Sequence, residues 1–258
     1  MMTAKERQDL ILETIMQEGM IKISRIATSY NVTIETARKD IITLQDRGLV
    51  VRISGGAILN PQKTTVKPMA KDHFFEKNAV AKKAAKMVSD GQTIFMDTGS
   101  TIQLMAKYLK PRHYLTIITY SLTVLEELMY TDNKIIVLGG ELRSDEQILS
   151  GHETEKALSK YYVDQSFLSC IGVSFEEGIT DLSYVIDRKL LRKHSDKMVL
   201  LADSSKWGIH SKVFVGPISM VDSVVVDSNL SQETIEEIKH MGLELITAPV
   251  EENTDIDE

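Results

Sequence analysis

"TIETARKDI", Thr33 to Ile41, decides how the first part of this chain is read. Thr33 is a favourable N-cap, and Ile34, Ala37, Ile41 and Leu44 recur at steps of three and four, the spacing that lines one side of an α-helix. On that wheel Lys39 lies opposite the apolar stripe, Thr36 and Thr43 share its outer side, and Arg38 sits at the flank. The outward face is therefore basic and hydroxyl-rich near its amino end. Any solvated helix carries a charged face, so the neighbouring segments decide what this one means.

Working outward, "KERQDLILETIMQEG" puts Leu10, Ile11 and Ile15 on one side of a first helix that Gly19 is placed to end. "ISRIATSY" puts Ile23, Ile26, Ala27 and Tyr30 at i, i+3, i+4, i+7 on a second helix, and only "NVT" separates it from the third. Gly48 stops the third helix. "LVVRISGGAIL" follows, two apolar runs around Ser54, Gly55 and Gly56 that signal a tight hairpin. Together these predict an α-rich winged helix-turn-helix domain over 1–58. In that motif the residues opening the second of the paired helices reach base edges, and arginine pairs bidentately with guanine, which assigns base reading to Arg38. Lys39 with Thr33, Thr36 and Thr43 suits phosphate, and Arg25 adds positive charge on the preceding helix. A hairpin carrying Arg52, Gly55 and Gly56 fits a wing along the adjacent backbone or minor groove.

The charge balance agrees with this division. The chain of 258 residues carries a net charge of -7, which taken whole argues against general nucleic-acid affinity. The first 58 residues nevertheless hold eight basic against seven acidic residues, so the acidity belongs to the rest, including the final "EENTDIDE" at 251–258, read as a solvated tail. Hydrophobic residues make up 43%, enough for at least one sizeable core. No apolar run reaches eighteen residues and "MMTAKERQDL" has charges where a signal peptide needs an apolar stretch, so a cytoplasmic protein without membrane attachment is expected. Cys170 is the only cysteine, which excludes an internal disulfide, and the six histidines show no close ligand spacing. Neither a metal nor a cofactor is expected.

"NPQKTTVKPMAKD", with two prolines and three lysines, reads as the body of a linker over 59–72. Beyond it "TIFM", "YLTIIT", "KIIVLGG", "QSFLSCIGV", "KMVLLA", "SVVVDS" and "LELIT" alternate with helical segments such as "NAVAKKAAKMVSD", "STIQLMAKYL" and "SQETIEEIKHM". Such alternation predicts a larger α/β, Rossmann-like domain over 73–250, with a mostly parallel sheet and helices on both faces.

The segment from Arg7 through Ile11 and Ile15 to "TIETARKDI", then "GGA" at Gly55 to Ala57, resembles the DeoR family of bacterial transcription regulators. The resemblance continues through "DTGST", "VLGGELR", "EEGIT" and "LADSSKWG" and so covers nearly the whole chain. Lys39 stands where the family commonly has a second arginine, keeping the charge but not the fork. The resemblance implies a second domain like that of ribose-5-phosphate isomerase and CoA transferases, a phosphorylated sugar or related metabolite as effector, and a lean towards repression of a sugar-metabolism operon.

The candidate effector residues follow apolar runs, at the carboxyl ends of strands where open α/β sheets bind ligands. Asp97, Thr98, Gly99, Ser100 and Thr101 form a strand-to-helix turn whose backbone N–H groups and hydroxyls suit a phosphate, although a capped turn without ligand has the same composition. Asp97 repels phosphate, so it is assigned to sugar hydroxyls or to holding the loop. Thr119, Tyr120 and Ser121 open a further helix, with Tyr120 where the family usually has asparagine. Gly139 and Gly140 allow close backbone approach or a plain tight turn, and Arg143 either joins them or is solvated. Asp203 and Lys206, on a turn with Ser204 and Ser205, suit hydroxyls and phosphate respectively, or else form a surface ion pair; Trp207 suits core or lid packing.

The function expected is a DNA-binding regulator of operator DNA, a dimer or tetramer because two half-sites need at least two copies. A sugar-phosphate isomerase-like enzyme is the alternative, using Asp97, Asp203 and Lys206, but no GxSxG, HExxH, Walker A or GxGxxG motif supports it. A scaffold whose second domain only oligomerises is the third.

Overall fold

The computed structural model describes residues 2–18, 20–59, 73–183 and 186–250, with backbone alone at 16–18 and 59. Contacts divide the chain into Met1–Asp72 and His73–Glu258. Of the linker expected at 59–72, Leu59 ends a strand; 60–72 lie outside the described residues, as do Gly19 and the acidic stretch 251–258.

The first unit runs α1 (Ala4–Glu18), β1 (Met20–Lys22), α2 (Ile23–Ser29), α3 (Ile34–Asp46), β2 (Val50–Ile53) and β3 (Gly56–Leu59). Thr3 and Glu6 open α1 with reciprocal side-chain to backbone bonds of 2.8 and 3.2 Å, a capping box. Thr33 caps α3, its hydroxyl accepting from Thr36 N at 3.1 Å. Gly48, at φ 72°, ends it: Leu49 N donates to Leu44 O and Gly48 N to Gln45 O, the paired bonds of a left-handed helix stop. Ile11, Ile15, Ile26, Ala37, Ile41 and Leu44 close the core, with Ile21, Val50 and Ala57 from the strands.

Three features differ from the sequence reading. Leu10 and Ile34, expected on buried stripes, are 38% and 43% exposed. The stripe of α3 is completed instead by Asp40, buried because Arg7 of α1 grips it with both Nε (2.6 Å) and Nη2 (3.2 Å), and Gln8 Nε2 adds a third bond at 3.0 Å. The hairpin is also part of a three-stranded sheet, order β1-β3-β2, in which Gly56 pairs with both Lys22 and Ile53. A Cβ on Gly56 would strike the Ile21 carbonyl, so only glycine lets β1 and β3 close up. The turn itself is Ser54–Gly55, with Gly55 at φ 78° and its carbonyl accepting from Ile23 N at 2.9 Å.

The second unit runs α4 (Phe74–Ala85), β4 (Thr93–Met96), α5 (Ser100–Leu109), β5 (Thr116–Thr119), α6 (Leu122–Leu128), β6 (Lys134–Val137), β7 (Glu141–Arg143), β8 (Ile148–Ser150), α7 (His152–Leu158) and β9 (Val163–Leu168). It continues through β10 (Gly172–Ser174), β11 (Gly178–Asp181), α8 (Arg188–Lys193), β12 (Ser195–Leu201), β13 (Val213–Gly216), β14 (Ser223–Asp227), α9 (Gln232–His240) and β15 (Glu244–Ala248). Seven strands form one sheet in the order β15-β14-β12-β9-β4-β5-β6, every pairing parallel. The central strands read as unbroken apolar runs because both faces are covered: Ile94, Phe95 and Met96 of β4 and Val224, Val225 and Val226 of β14 have no exposed surface. The run "QSFLSCIGV" supplies two strands rather than one, β9 and then β10, which joins β11 and β13 in a small antiparallel sheet.

From β4 the chain moves to β5 and β6 on one side, then returns through β9 on the other, so the order reverses between β4 and β9. That crevice, at the carboxyl ends of the strands, is where sheets of this kind take ligands.

The buried pair in the first unit yields a stability prediction. Asp40→Ala strands the Arg7 cation and should cost about 3 to 5 kcal/mol in urea unfolding of the first unit, whereas the double change Arg7→Met with Asp40→Leu should cost much less.

Candidate functional site

In the first unit α3 presents Arg38, Lys39 and Thr43 to solvent, with Thr36 partly exposed. Arg38 makes no ion pair among the described residues. Lys39 stands 3.6 Å from Glu35, both side chains at least three-quarters exposed, an i, i+4 pair weak enough to open for a phosphate. Thr33 and Thr36 are joined through their hydroxyls at 2.9 Å, and Thr43 Oγ1 donates to Lys39 O at 3.0 Å, so the cap and the helix itself engage the threonines expected to bind phosphate. Arg25 is exposed on α2 and Arg52 on β2. Of the two hairpin glycines, Gly55 lies at the exposed turn, while Gly56 is buried in β3 and holds the hairpin to β1.

In the second unit residues from the ends of β4, β5 and β9 and the first residue of α8 meet at one buried carboxylate. Asp97 has no exposed surface. Its Oδ1 accepts from the Tyr120 hydroxyl; its Oδ2 accepts from Arg188 Nη2 at 2.7 Å and from Ser169 N at 3.1 Å. Ser169 Oγ also donates to Thr98 O at 2.6 Å, which pins the turn after β4 to the one after β9 across the crevice. Both Asp97 oxygens are therefore engaged, and of its two expected roles the structure gives it the holding of the loop. Tyr120 is wholly buried and Thr119 donates to Met96 O at 2.8 Å while accepting from Ser121 N at 3.0 Å. These two hydroxyls knit the site together rather than open into it.

Burial drives the Tyr120 hydroxyl well above its ordinary pKa, and the Asp97 charge pushes the same way, so Tyr120 stays a donor. Burial works against the Arg188 cation, but Asp97, with Tyr120 and Asp181, overcomes it and raises its pKa further. Burial pushes the Cys170 thiol up to about 12, with Lys206 pulling the other way, which keeps the thiol protonated near neutral pH.

Several polar groups there remain unanswered. Arg188 Nη1 and Asp203 Oδ2 are buried without a hydrogen-bond partner. Asp203 Oδ1 accepts from Ser205 N at 3.1 Å and from the Ser205 hydroxyl, and no ion pair joins Asp203 to Lys206 among the described residues, so the alternative of a surface ion pair gives way to a capped turn. At α5, Gly99 (φ 104°) is exposed and provides no side-chain cap, leaving the helix's amino end facing the 97–101 turn. Ser100 is partly exposed and Thr101 buried; Ser121 instead caps α6, accepting from Val124 N at 3.4 Å. Trp207 packs at a tilt against Phe175, ring centroids 5.6 Å apart, although its Nε1 is buried without a partner.

The remaining expected residues lie further out. Gly139 O accepts from Thr154 Oγ1 at 2.7 Å, and a Cβ on Gly140 would strike Thr154 and the Ser150 carbonyl, so Gly140 serves a close-packed turn while Gly139 is exposed with open space beside it. Arg143 pairs with Glu146, which in turn accepts from Ser183 Oγ at 2.9 Å. Two residues the sequence reading did not single out are Arg188 and Asp181. Arg188 sits 91 positions from Asp97, in "DRKLLRK", where one basic residue among four reads as solvated.

A winged helix-turn-helix on one unit and a parallel sheet with convergent polar atoms at its crevice on another is the build of a DNA-binding regulator with a separate sensing domain. Family models agree: residues 7–63 match the DeoR-like helix-turn-helix domain and residues 72–228 the DeoR C terminal sensor domain. The chain belongs to the DeoR family of DNA-binding transcription regulators. It is 31% identical over 255 residues to the helix-turn-helix transcriptional regulator YulB of Bacillus subtilis, covering 96% of this chain and 98% of YulB. The transcriptional repressor GlcR of the same organism is 29% identical over 261 residues (98% and 100% covered), and the glycerol-3-phosphate regulon repressor of Escherichia coli 30% over 233 (88% and 92%). Ribose 5-phosphate isomerase A of Methanocaldococcus jannaschii overlaps 51% of this chain and 53% of its own at 23% identity and a TM-score of 0.38, too loose a match to carry a functional argument. The family is one of regulators, and the isomerase-like alternative is withdrawn: this protein is not an enzyme. Among the described residues no helix is long and apolar enough to cross a membrane.

Asp181, in the same charge cluster, gives a pH signature. Burial lifts its carboxyl from 3.8 to about 6, opposed by the hydrogen bond from Leu182 N and reinforced by Asp97. Through this group the folded chain binds more protons than the unfolded chain across that window, so its contribution to stability is full below the window and is lost as pH rises through it. Urea unfolding from pH 3.8 to pH 6 should show wild type losing stability relative to Asp181→Asn as pH rises.

Proposed function

We propose that this chain is a repressor of a sugar or polyol phosphate operon, acting in the cytoplasm as a dimer or tetramer, and that a phosphorylated metabolite in the β4/β9 crevice loosens its grip on operator DNA. The names of the relatives support repression and a phosphate-bearing pathway, since one represses a glycerol-3-phosphate regulon. The observation that carries the effector reading is the pair of buried, unanswered atoms at one crevice, Arg188 Nη1 as donor and Asp203 Oδ2 as acceptor, beside the uncapped amino end of α5. A buried polar group left alone is costly. A ligand with an anionic end and a hydroxyl answers both: the phosphate takes Arg188, the α5 backbone N–H groups and Lys206, while the hydroxyl donates to Asp203. Such a ligand weakens DNA binding only if it prefers an arrangement of the subunits that DNA disfavours.

Two measurements check this reading. On duplexes selected by the full chain from a random pool, Arg38→Ala should lose about 1 to 3 kcal/mol of discrimination at a single base pair; unchanged discrimination removes Arg38 from base reading. In thermal denaturation with a panel of sugar and polyol phosphates including glycerol 3-phosphate, one compound at a hundred times its Kd should stabilise wild type by about 2.7 kcal/mol and Lys206→Ala far less. No response to any member of the panel favours a second unit that only oligomerises.

A further inference from the structure

Two large aliphatic side chains stand on the outward side of α3 among charged and hydroxylated neighbours: Ile34, 43% exposed, and Ile42, 41% exposed. They lie one turn before and one turn after Arg38, at i-4 and i+4, so the three form a single ridge along the helix. The core of the unit closes through Ala37, Ile41 and Leu44 without either isoleucine. Singly exposed apolar residues are ordinary on protein surfaces. Here, however, both occur on the helix that a DNA-binding family presents to bases, on either side of its arginine.

The surroundings select the occupant of this ridge. A second protein surface would have to bury Arg38 and the Glu35–Lys39 pair along with the isoleucines, and interface cores are depleted of such charge. The major groove suits the same set of groups: phosphates for Lys39, a guanine edge for Arg38 and, as its one apolar feature, the C5-methyl group of thymine. We infer that Ile34 and Ile42 are specificity residues that read thymine methyl groups flanking the base pair read by Arg38. Four residues advance a helix by about 6 Å, and stacked bases repeat every 3.4 Å or so along a strand, so each methyl belongs within about two steps of that base pair. The inference rests on α3 being the base reader.

The test uses the full chain and duplexes it selects from a random pool, with each thymine replaced in turn by deoxyuridine, which removes only the methyl group. Wild type should bind about fourfold more weakly for each recognised methyl lost, from the burial value of one such group, at thymines within two steps of the base pair where Arg38→Ala loses preference. Ile34→Ala and Ile42→Ala should each become indifferent to deoxyuridine at one of those positions while still preferring selected over scrambled duplex. Both side chains are exposed, and matching melting temperatures would confirm that the variants fold. Indifference of wild type to deoxyuridine throughout, no thymine within two steps, or an undiminished deoxyuridine penalty in both variants overturns the inference. Failure of the underlying reading looks different: there, wild type does not distinguish selected from scrambled duplex, or Arg38→Ala leaves every base preference intact.

Discussion

The sensing unit depends on one carboxylate. Asp97 gathers Tyr120 from the end of β5, Ser169 from the end of β9 and Arg188 from the start of α8, and so fixes the ends of three strands and the beginning of a helix relative to one another. A lone carboxylate at that depth would carry a large desolvation penalty, and three donors offset it. The consequence for recognition is a division of labour. With Asp97, Tyr120 and Thr119 engaged in holding the crevice, the proposed ligand would be met by the second guanidinium nitrogen of Arg188, the unpartnered buried oxygen of Asp203, Lys206 and the amino end of α5.

The DNA-binding unit uses the same device at its own scale. Asp40 is held by Arg7 from 33 residues away, with Gln8 assisting, and this fixes the rotation of α3 about its axis. Because the pair sits on the buried side, the opposite side is free to carry Arg38 and Lys39 outward. An apolar residue at 40 would pack there too, but a two-pronged pair tolerates far less slippage than an aliphatic contact, and an error in rotation would shift the direction in which Arg38 is presented.

Local signals made much of this legible. Thr33 as cap, Gly48 as stop, the hairpin and the whole of α5 follow from capping chemistry and from periodicity, which act between residues close in sequence. What stayed hidden depends on distant partners. β1 is three residues long and is a strand only because β3 lies beside it. Asp40 reads as an outer residue until Arg7 is known to reach it, and Ile34 reads as core because a stripe drawn through the sequence does not reveal that the core ends before the helix does. Arg188 and Asp181 have no motif of their own, and Asp97, legible as part of a turn, shows its structural role only once its three donors are assembled.

The bond from Ile23 N to the carbonyl of Gly55 ties the tip of the hairpin to the first residue of α2, and β1 grips its root. Hairpin and helices therefore move as one jaw of fixed gape. A duplex that engaged both would meet them at a spacing set by these two ties. Were the hairpin to lie along a duplex as its sequence suggests, tracts already shaped to fit it would be favoured over those that must be deformed.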